Sequence, residues 1–356
     1  LDTSLLYRVQ SILQQKYNGD INYQKLSEGA AAGAVAALGD PYTVFLDEKS
    51  NEELNNDLNG ELSGIGVEVG QKKSLLTVIA PIDGTPASRA GLRSGDIIAT
   101  IDGEDSRTLT IDEAVSKIRG EAGTKVKLGI VRGGEPLREL EITRELINVP
   151  SVSYSMKPDN IGYIKIRRFG EDTANEVKSA GQALKAQGAK VIIVDVRDNP
   201  GGYLQTAVEV ASQFYSSGAV VEERSRNSKP KIDYAIVGGE MTNMPIIMLI
   251  NEGSASASEI LAGALNDNNR VILVGERTYG KGSVQEVICI NKVFLTGSCE
   301  GPAVKVTTAN WFTPHGTNIS KEGIMPEVEV KLTADDISNS RDPQLERAIE
   351  LAKEAR

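Results

Sequence analysis

Histidine occurs once in the 356 residues and cysteine twice, with no CxxC pair. A zinc site built from Cys and His ligands is therefore nearly excluded, and a Ser-His-Asp triad would have to use His315. That residue lies in Thr313-Pro314-His315-Gly316, a turn signature, and the turn reading is preferred. No apolar run approaches the ~20 residues of a membrane-spanning helix. No basic block stands out against a net charge of −10, which argues against nucleic acid or anionic lipid as partners. Aromatics are sparse at 4%, but hydrophobic residues at 40% still supply sizeable cores. The chain opens on Leu1 rather than Met, as a processed form would after loss of a leader or membrane anchor. Cys289 and Cys299 flank an expected hairpin. A disulfide in an oxidising compartment and two buried thiols both fit.

The length points to two or three domains. Residues 1–58 read as helical, with Leu5, Leu6, Val9, Ile12 and Leu13 at helical spacing and an alanine-rich helix over 23–38 that stops at Gly39-Asp40-Pro41. Residues 51–59 fit a short polar helix or a linker. Over 59–146 the pattern changes to short strands and turns, with an amphipathic helix over 110–119. Residues 147–332 alternate strands and helices around continuous apolar runs such as Val191-Ile192-Ile193-Val194, which predicts an α/β core with a sheet covered on both faces. The tail, 333–356, ends in an amphipathic helix that reads as a solvated surface helix or a dimer contact.

The chemistry is placed in the stretch 251–264, Asn-Glu-Gly-Ser-Ala-Ser-Ala-Ser-Glu-Ile-Leu-Ala-Gly-Ala. A buried strand over 245–250 feeds it and a helix follows. A hydroxyl at such a strand-to-helix turn is exposed at the positive end of the helix, where a nucleophile and an oxyanion pocket belong. Ser256 and Glu259 also form an S-x-x-E capping box, and on this stretch alone capping is the commoner reading. Lysine is the alternative to histidine as an activating base. The S-x-x-K at Ser228–Lys231 contains Pro230 and fails. Lys281, in Tyr279-Gly280-Lys281-Gly282-Ser283, is better placed, although a lysine between glycines is usually a surface charge. Acting as a base requires its pKa to fall from ~10.4 toward ~7–8, which desolvation can supply. Gln285 shares a face with Lys281 in a strand or a helix, so its amide oxygen can orient the amine.

Four stretches resemble the carboxyl-terminal processing (tail-specific) serine proteases that carry a PDZ domain. They are LGDPYTVFL (38–46), GTPASRAGLRSGDIIATIDGE within the β-rich block, VDVRDNPGG (194–202), and GSASASEILAGALND with VGERTYGKGSVQ (253–267 and 274–285). TPHGTNISKEGIMPEVEV (313–330) also fits. The resemblance implies an α+β and α/β multidomain chain: helical N-terminal region, inserted PDZ domain, protease core of the crotonase/Clp-protease-like kind, and C-terminal helix. By the same resemblance Ser256 is the nucleophile and Lys281, 25 residues on, the general base. Gln285 orients the lysine, with Asp267 as rival third member. The N–H groups of Gly202 and Ala257 form the oxyanion hole.

By resemblance, Gly64-Ile65-Gly66-Val67 falls where the family's carboxylate-binding loop sits, and glycines let successive N–H groups converge on an anion. A Gly-x-Gly before a strand is otherwise a common bulge or turn. Pro200 and the cysteine pair depart from the family pattern. The implied activity is peptide hydrolysis through an acyl-enzyme, without metal or cofactor, on proteins or peptides with free C-termini. The PDZ domain would capture those termini and gate the site. An extracytoplasmic location is implied, and a homodimer through the terminal helices is compatible. Two other classes fit less well: a PDZ adaptor that holds tails without cutting them, for which Ser256 and Lys281 would be superfluous, and a thioester hydrolase, which the PDZ block disfavours.

Overall fold

The computed structural model describes all residues except 1, 2, 73, 74, 83, 227, 291–298, 300, 334, 337, 338, 340 and 356, and the side chains of 68, 71, 72 and 112. The turn of the hairpin expected between Cys289 and Cys299 lies outside the described residues. The chain divides into two compact units, one of residues 1–55 with 152–356 and one of residues 56–151.

The first unit begins with α1 (Thr3–Lys16), α2 (Tyr23–Ala36), strand β1 (Val44–Leu46) and α3 (Glu48–Asn59), whose residues from 56 on belong to the second unit. The polar stretch that fitted a helix or a linker is thus helix. Asn51, on α3, is buried, and its amide nitrogen donates to the carbonyls of Cys299 at 2.7 Å and Gly301 at 2.9 Å.

The second unit comprises β2 (Glu61–Gly64), β3 (Val67–Lys72), β4 (Leu75–Pro81), α4 (Pro86–Arg89), β5 (Ile97–Ile101), β6 (Glu104–Asp105), α5 (Ile111–Ile118), β7 (Lys125–Val131), β8 (Arg138–Thr143) and β9 (Glu145–Asn148). Its main sheet runs β3-β4-β5-β7-β8 with β6 on β5, and β2 pairs separately with β9. Ile65, Val78, Ile98, Val126 and Leu128 fill its core. Between β2 and β3, Gly66 takes a φ of 73° and turns the chain.

The first unit resumes with β10 (Val152–Lys157), β11 (Ile161–Ile166), α6 (Thr173–Ala186), β12 (Val191–Asp195), α7 (Leu204–Ala211), β13 (Ala219–Arg224), β14 (Lys231–Tyr234), β15 (Ile246–Ile250), α8 (Ala257–Asp267), β16 (Ile272–Gly275), β17 (Ser283–Cys289), β18 (Ala303–Phe312), β19 (Val328–Glu329) and α9 (Pro343–Glu354). Its central sheet has the order β10-β11-β12-β15-β16-β19, parallel from β11 to β19. All five residues of β12 and of β15 are buried, as two covered faces require.

Helices α6, α7 and α8 pack in the larger cluster on one face, with Ile192, Val194, Met248 and Ile250. The other face, with Val191, Ile193, Ile247 and Leu249, is covered by Ala348 and Ala352 of α9. The terminal helix is therefore not a solvated helix on all sides. Its small side chains bury one sheet face, and Arg197 ties its N-cap Asp342 (2.8 Å) to Asp195 (2.7 Å). In the second sheet β18 is the spine, pairing with β1, β13 and β17, while β14 closes the edge on β13. Cys289 and Cys299 are joined in a disulfide.

Candidate active site

Strand β15 ends at Ile250 and the chain turns through 251–256 into α8. Ser256 is the N-cap, and its backbone is unusual for a residue with a side chain, φ 55° and ψ −115°. Such a conformation costs of order 1–3 kcal/mol and persists only where its surroundings hold it. Here they do. The Ser256 carbonyl accepts the N–H groups of Glu259 and Ile260, both at 2.9 Å, and the Ser256 N–H donates to the Glu259 carboxylate at 2.9 Å. From behind, Gly201 packs so closely that a Cβ there would stand 2.8 Å from Ser256 Cβ and 2.9 Å from the Ala257 nitrogen. The capping box is thus formed from its glutamate side, at a strained turn like a nucleophile elbow.

Two neighbouring serines are committed elsewhere. Ser254 is buried and donates to the Val196 carbonyl at 2.8 Å; Ser258 is buried and donates to the Asn199 carbonyl at 2.9 Å. Asn199 also accepts the Ala255 N–H at 3.0 Å, so the loop after β12 is bolted to the turn before α8. That loop carries Gly201 and Gly202 at φ 105° and 146°. Phe169 clasps it, giving its N–H to the Gly201 carbonyl (2.9 Å) and taking the Tyr203 N–H (2.8 Å). Among the described residues the N–H groups of Gly202 and Ala257 have no acceptor. Both stay available to a ligand, Ala257 at a helix N-terminus.

Lys281 is anchored on the same glutamate. Its carbonyl accepts the Trp311 indole N–H at 2.9 Å and its N–H donates to Glu259 at 2.9 Å. Glu259 is fully buried and takes two further bonds, from Thr278 Oγ1 (2.5 Å) and the Gly280 N–H (2.7 Å). One carboxylate therefore holds the backbones of both Ser256 and Lys281. Only the capping box hinted at Glu259 in the sequence; its second partner lies 22 residues away.

Burial pulls the Lys281 amine below the usual lysine range; Lys305 adds to the shift and Glu259 opposes it. The amine nitrogen lies 5.2 Å from the centre of the Tyr42 ring, a neighbour that sequence reasoning missed. No hydrogen bond joins it to Ser256 or Gln285 among the described residues. Gln285 follows an irregularity in the β17–β18 register. Its amide nitrogen binds Ser283 Oγ (2.8 Å) and Thr307 Oγ1 (3.2 Å). Asp267 stands at the opposite end of α8, 11 residues from Ser256 or about 16 Å of helix, and accepts the His315 N–H at 2.8 Å. Lys231 of the discarded S-x-x-K is paired with Glu223 and Asp233 on the second sheet.

Within the second unit, Gly64, Ile65, Gly66 and Val67 line a groove of 210 Å³ with Val69, Val115, Ile118 and Arg119 among its other walls. The Ile65 carbonyl is taken by the Ala87 N–H (2.7 Å) and that of Gly66 by the Ile82 N–H (2.9 Å), while among the described residues the N–H groups of Ile65 and Gly66 have no acceptor. A Cβ on Gly66 would stand 2.4 Å from that of Thr85, which leaves room for glycine alone. No group of three or more His, Cys, Asp or Glu able to hold a metal occurs among the described residues.

The profile of peptidase family S41 matches residues 160–330, that of the PDZ domain residues 77–132, and that of the activating protease CtpB N-terminal domain residues 3–50. The carboxy-terminal processing protease CtpA of Bacillus subtilis is 36% identical over 91% of this chain and 67% of its own length. The carboxy-terminal-processing protease of Bartonella bacilliformis is 38% identical over 86% of this chain and 70% of its own. The chain thus spans about two thirds of the length of these relatives. Among solved structures, the photosystem II D1 C-terminal processing protease superposes with a TM-score of 0.55 at 29% identity, covering 91% of this chain and 86% of that one. Mature CPAF shares the fold, with a TM-score of 0.52 at 14% identity over 98% and 90% of the two chains. These likenesses show the family: the chain belongs to the PDZ-containing carboxy-terminal processing proteases of peptidase family S41.

Proposed function

We propose that the chain is a serine endopeptidase that cuts proteins near their C-termini with Ser256 as nucleophile and Lys281 as general base. The observation that carries this reading is the Glu259 carboxylate, which accepts the backbone N–H of both residues and so holds the two strands of the chemistry together. The neutral Lys281 amine removes the Ser256 proton as the hydroxyl oxygen attacks the scissile carbonyl. The N–H groups of Gly202 and Ala257 take the oxyanion, and the lysine returns the proton to the departing amine. Water, deprotonated by the same lysine, then releases the acyl group. Gln285 supports Lys281 through its amide oxygen. Because only the neutral amine works, activity rises with pH as Lys281 loses its proton.

The 210 Å³ groove at Gly64–Val67 takes the substrate's terminal residues, with the carboxylate on the acceptor-free N–H groups of Ile65 and Gly66. The Cys289–Cys299 disulfide supports an extracytoplasmic location. The test is cleavage of an unstructured protein by wild type, Ser256→Ala and Lys281→Ala, with free and amidated C-termini. Loss of cleavage in both variants supports the dyad; full activity in either rejects it. Equal cutting of free and amidated tails rejects the groove's role.

A further inference from the structure

The turn before β1 comes to the catalytic lysine through β18. Val44 of β1 stands opposite Lys305, and β17, which starts two residues after Lys281, pairs along β18 as well. The Asp40 carboxylate accepts the Tyr42 N–H at 3.1 Å and the Thr43 hydroxyl at 2.6 Å. Thr43 Oγ1 in turn accepts the Thr307 N–H at 3.0 Å. Thr307 also receives the Gln285 amide at 3.2 Å, so one residue of β18 anchors both the Tyr42 turn and the strand beyond Lys281. The result is a Tyr42 ring whose centre is 5.2 Å from Lys281 Nζ.

A ring face attracts an ammonium, more strongly where water is excluded, and gives a neutral amine little. The other charged groups felt by Lys281 are Lys305 from β18, which repels the ammonium, and Glu259 from α8, which attracts it. The ring therefore distinguishes the two protonation states. We propose that Tyr42 is a positioning residue that holds the protonated Lys281 against its ring in the resting enzyme and lets go of the neutral amine, which then turns to the Ser256 hydroxyl. This rests on Lys281 being the general base.

The experiment is the pH dependence of kcat/KM for tail cleavage in wild type, Tyr42→Leu, Tyr42→Phe and Lys281→Ala. Leucine keeps an apolar cover and removes the ring face, so the ammonium loses its partner and the acidic limb moves down by roughly half to one and a half pH units. On the limb, activity relative to the plateau rises by about threefold to thirtyfold. Tyr42→Phe keeps the face and the wild-type limb. A limb that stays in place or moves up in Tyr42→Leu, or an identical shift in Tyr42→Phe, overturns the role. Should Tyr42→Leu fail to fold, Tyr42→Met supplies the ring-free side chain and is read the same way. An active Lys281→Ala would sink the dyad itself, whereas an inactive one beside an unmoved Tyr42→Leu limb sinks only the tyrosine's part.

Discussion

Ser254, Ser256 and Ser258 alternate with alanine, and nothing local separates them. What separates them is the carbonyl across from each hydroxyl: Val196 for Ser254 and Asn199 for Ser258, both more than fifty residues upstream. Only the middle serine sits at a positive φ. The choice of nucleophile was therefore beyond sequence physics and came from family spacing. A role for Tyr42 was equally unreadable, since Gly39-Asp40-Pro41 reads as a helix stop and the family-like stretch 38–46 assigns the tyrosine nothing. Lys281 yields a prediction at this scale. Its folded pKa lies below the unfolded value of 10.5. Below the folded value both states carry the proton and the buried charge costs stability in full. Between the two values only the unfolded chain binds it, so stability rises with pH, and above 10.5 the cost is gone. Lys281→Met is expected to stabilise the fold at neutral pH, with the gain shrinking toward pH 10.5. Denaturation midpoints at both pH values check this; a gain of equal size at both would contradict it.

The elements were legible in proportion to how their burial showed in composition. β12 and β15 read as buried strands because every position is apolar or enclosed. β13 and β14 escaped notice, since Glu222, Glu223, Arg224, Lys231 and Asp233 give them the composition of a loop. Their charges face solvent or one another at a sheet edge, where polar strands are tolerated. The small residues of the terminal helix, Ala348 and Ala352, looked neutral and turned out to be what lets it approach the sheet. The joint between α8 and the segment before β17 is the element-scale weak point, because four donors converge on Glu259. Glu259→Gln replaces one acceptor oxygen by an NH₂ group and strands up to two buried donors. At ~1–3 kcal/mol each, a loss of about 2–6 kcal/mol is expected in chemical denaturation, with cleavage falling further than folding explains. A variant with wild-type midpoint and rate would show that the carboxylate only fills space.

At the scale of the molecule, the cysteine pair settles a question that composition left open. The disulfide closes a loop of 10 residues at the end of the β17–β18 hairpin, beside the Asn51 anchor. Constraining a loop of that length in the unfolded chain is worth about 2–3 kcal/mol. Replacing both Cys289 and Cys299 by serine is expected to lower the midpoint in non-reducing buffer by that amount and to abolish its response to reductant. An unchanged midpoint would mean the bond does not form in solution. The grouping of residues 1–55 with 152–356 was not visible in the sequence. That grouping rests on pairings such as β1 with β18, some 260 residues apart, which no local pattern announces.

The pairing of β2 with β9 has a consequence for how such chains change over generations. Glu61 lies opposite Asn148, so the 56–151 unit is entered and left through one two-stranded stem. To the rest of the chain, everything beyond that stem is a single closed loop, and loop closure grows only logarithmically more costly with length. Recombination at the stem can exchange this unit for another insert while the rest of the chain keeps its strand order. The insert and the fold that carries it can then be inherited separately.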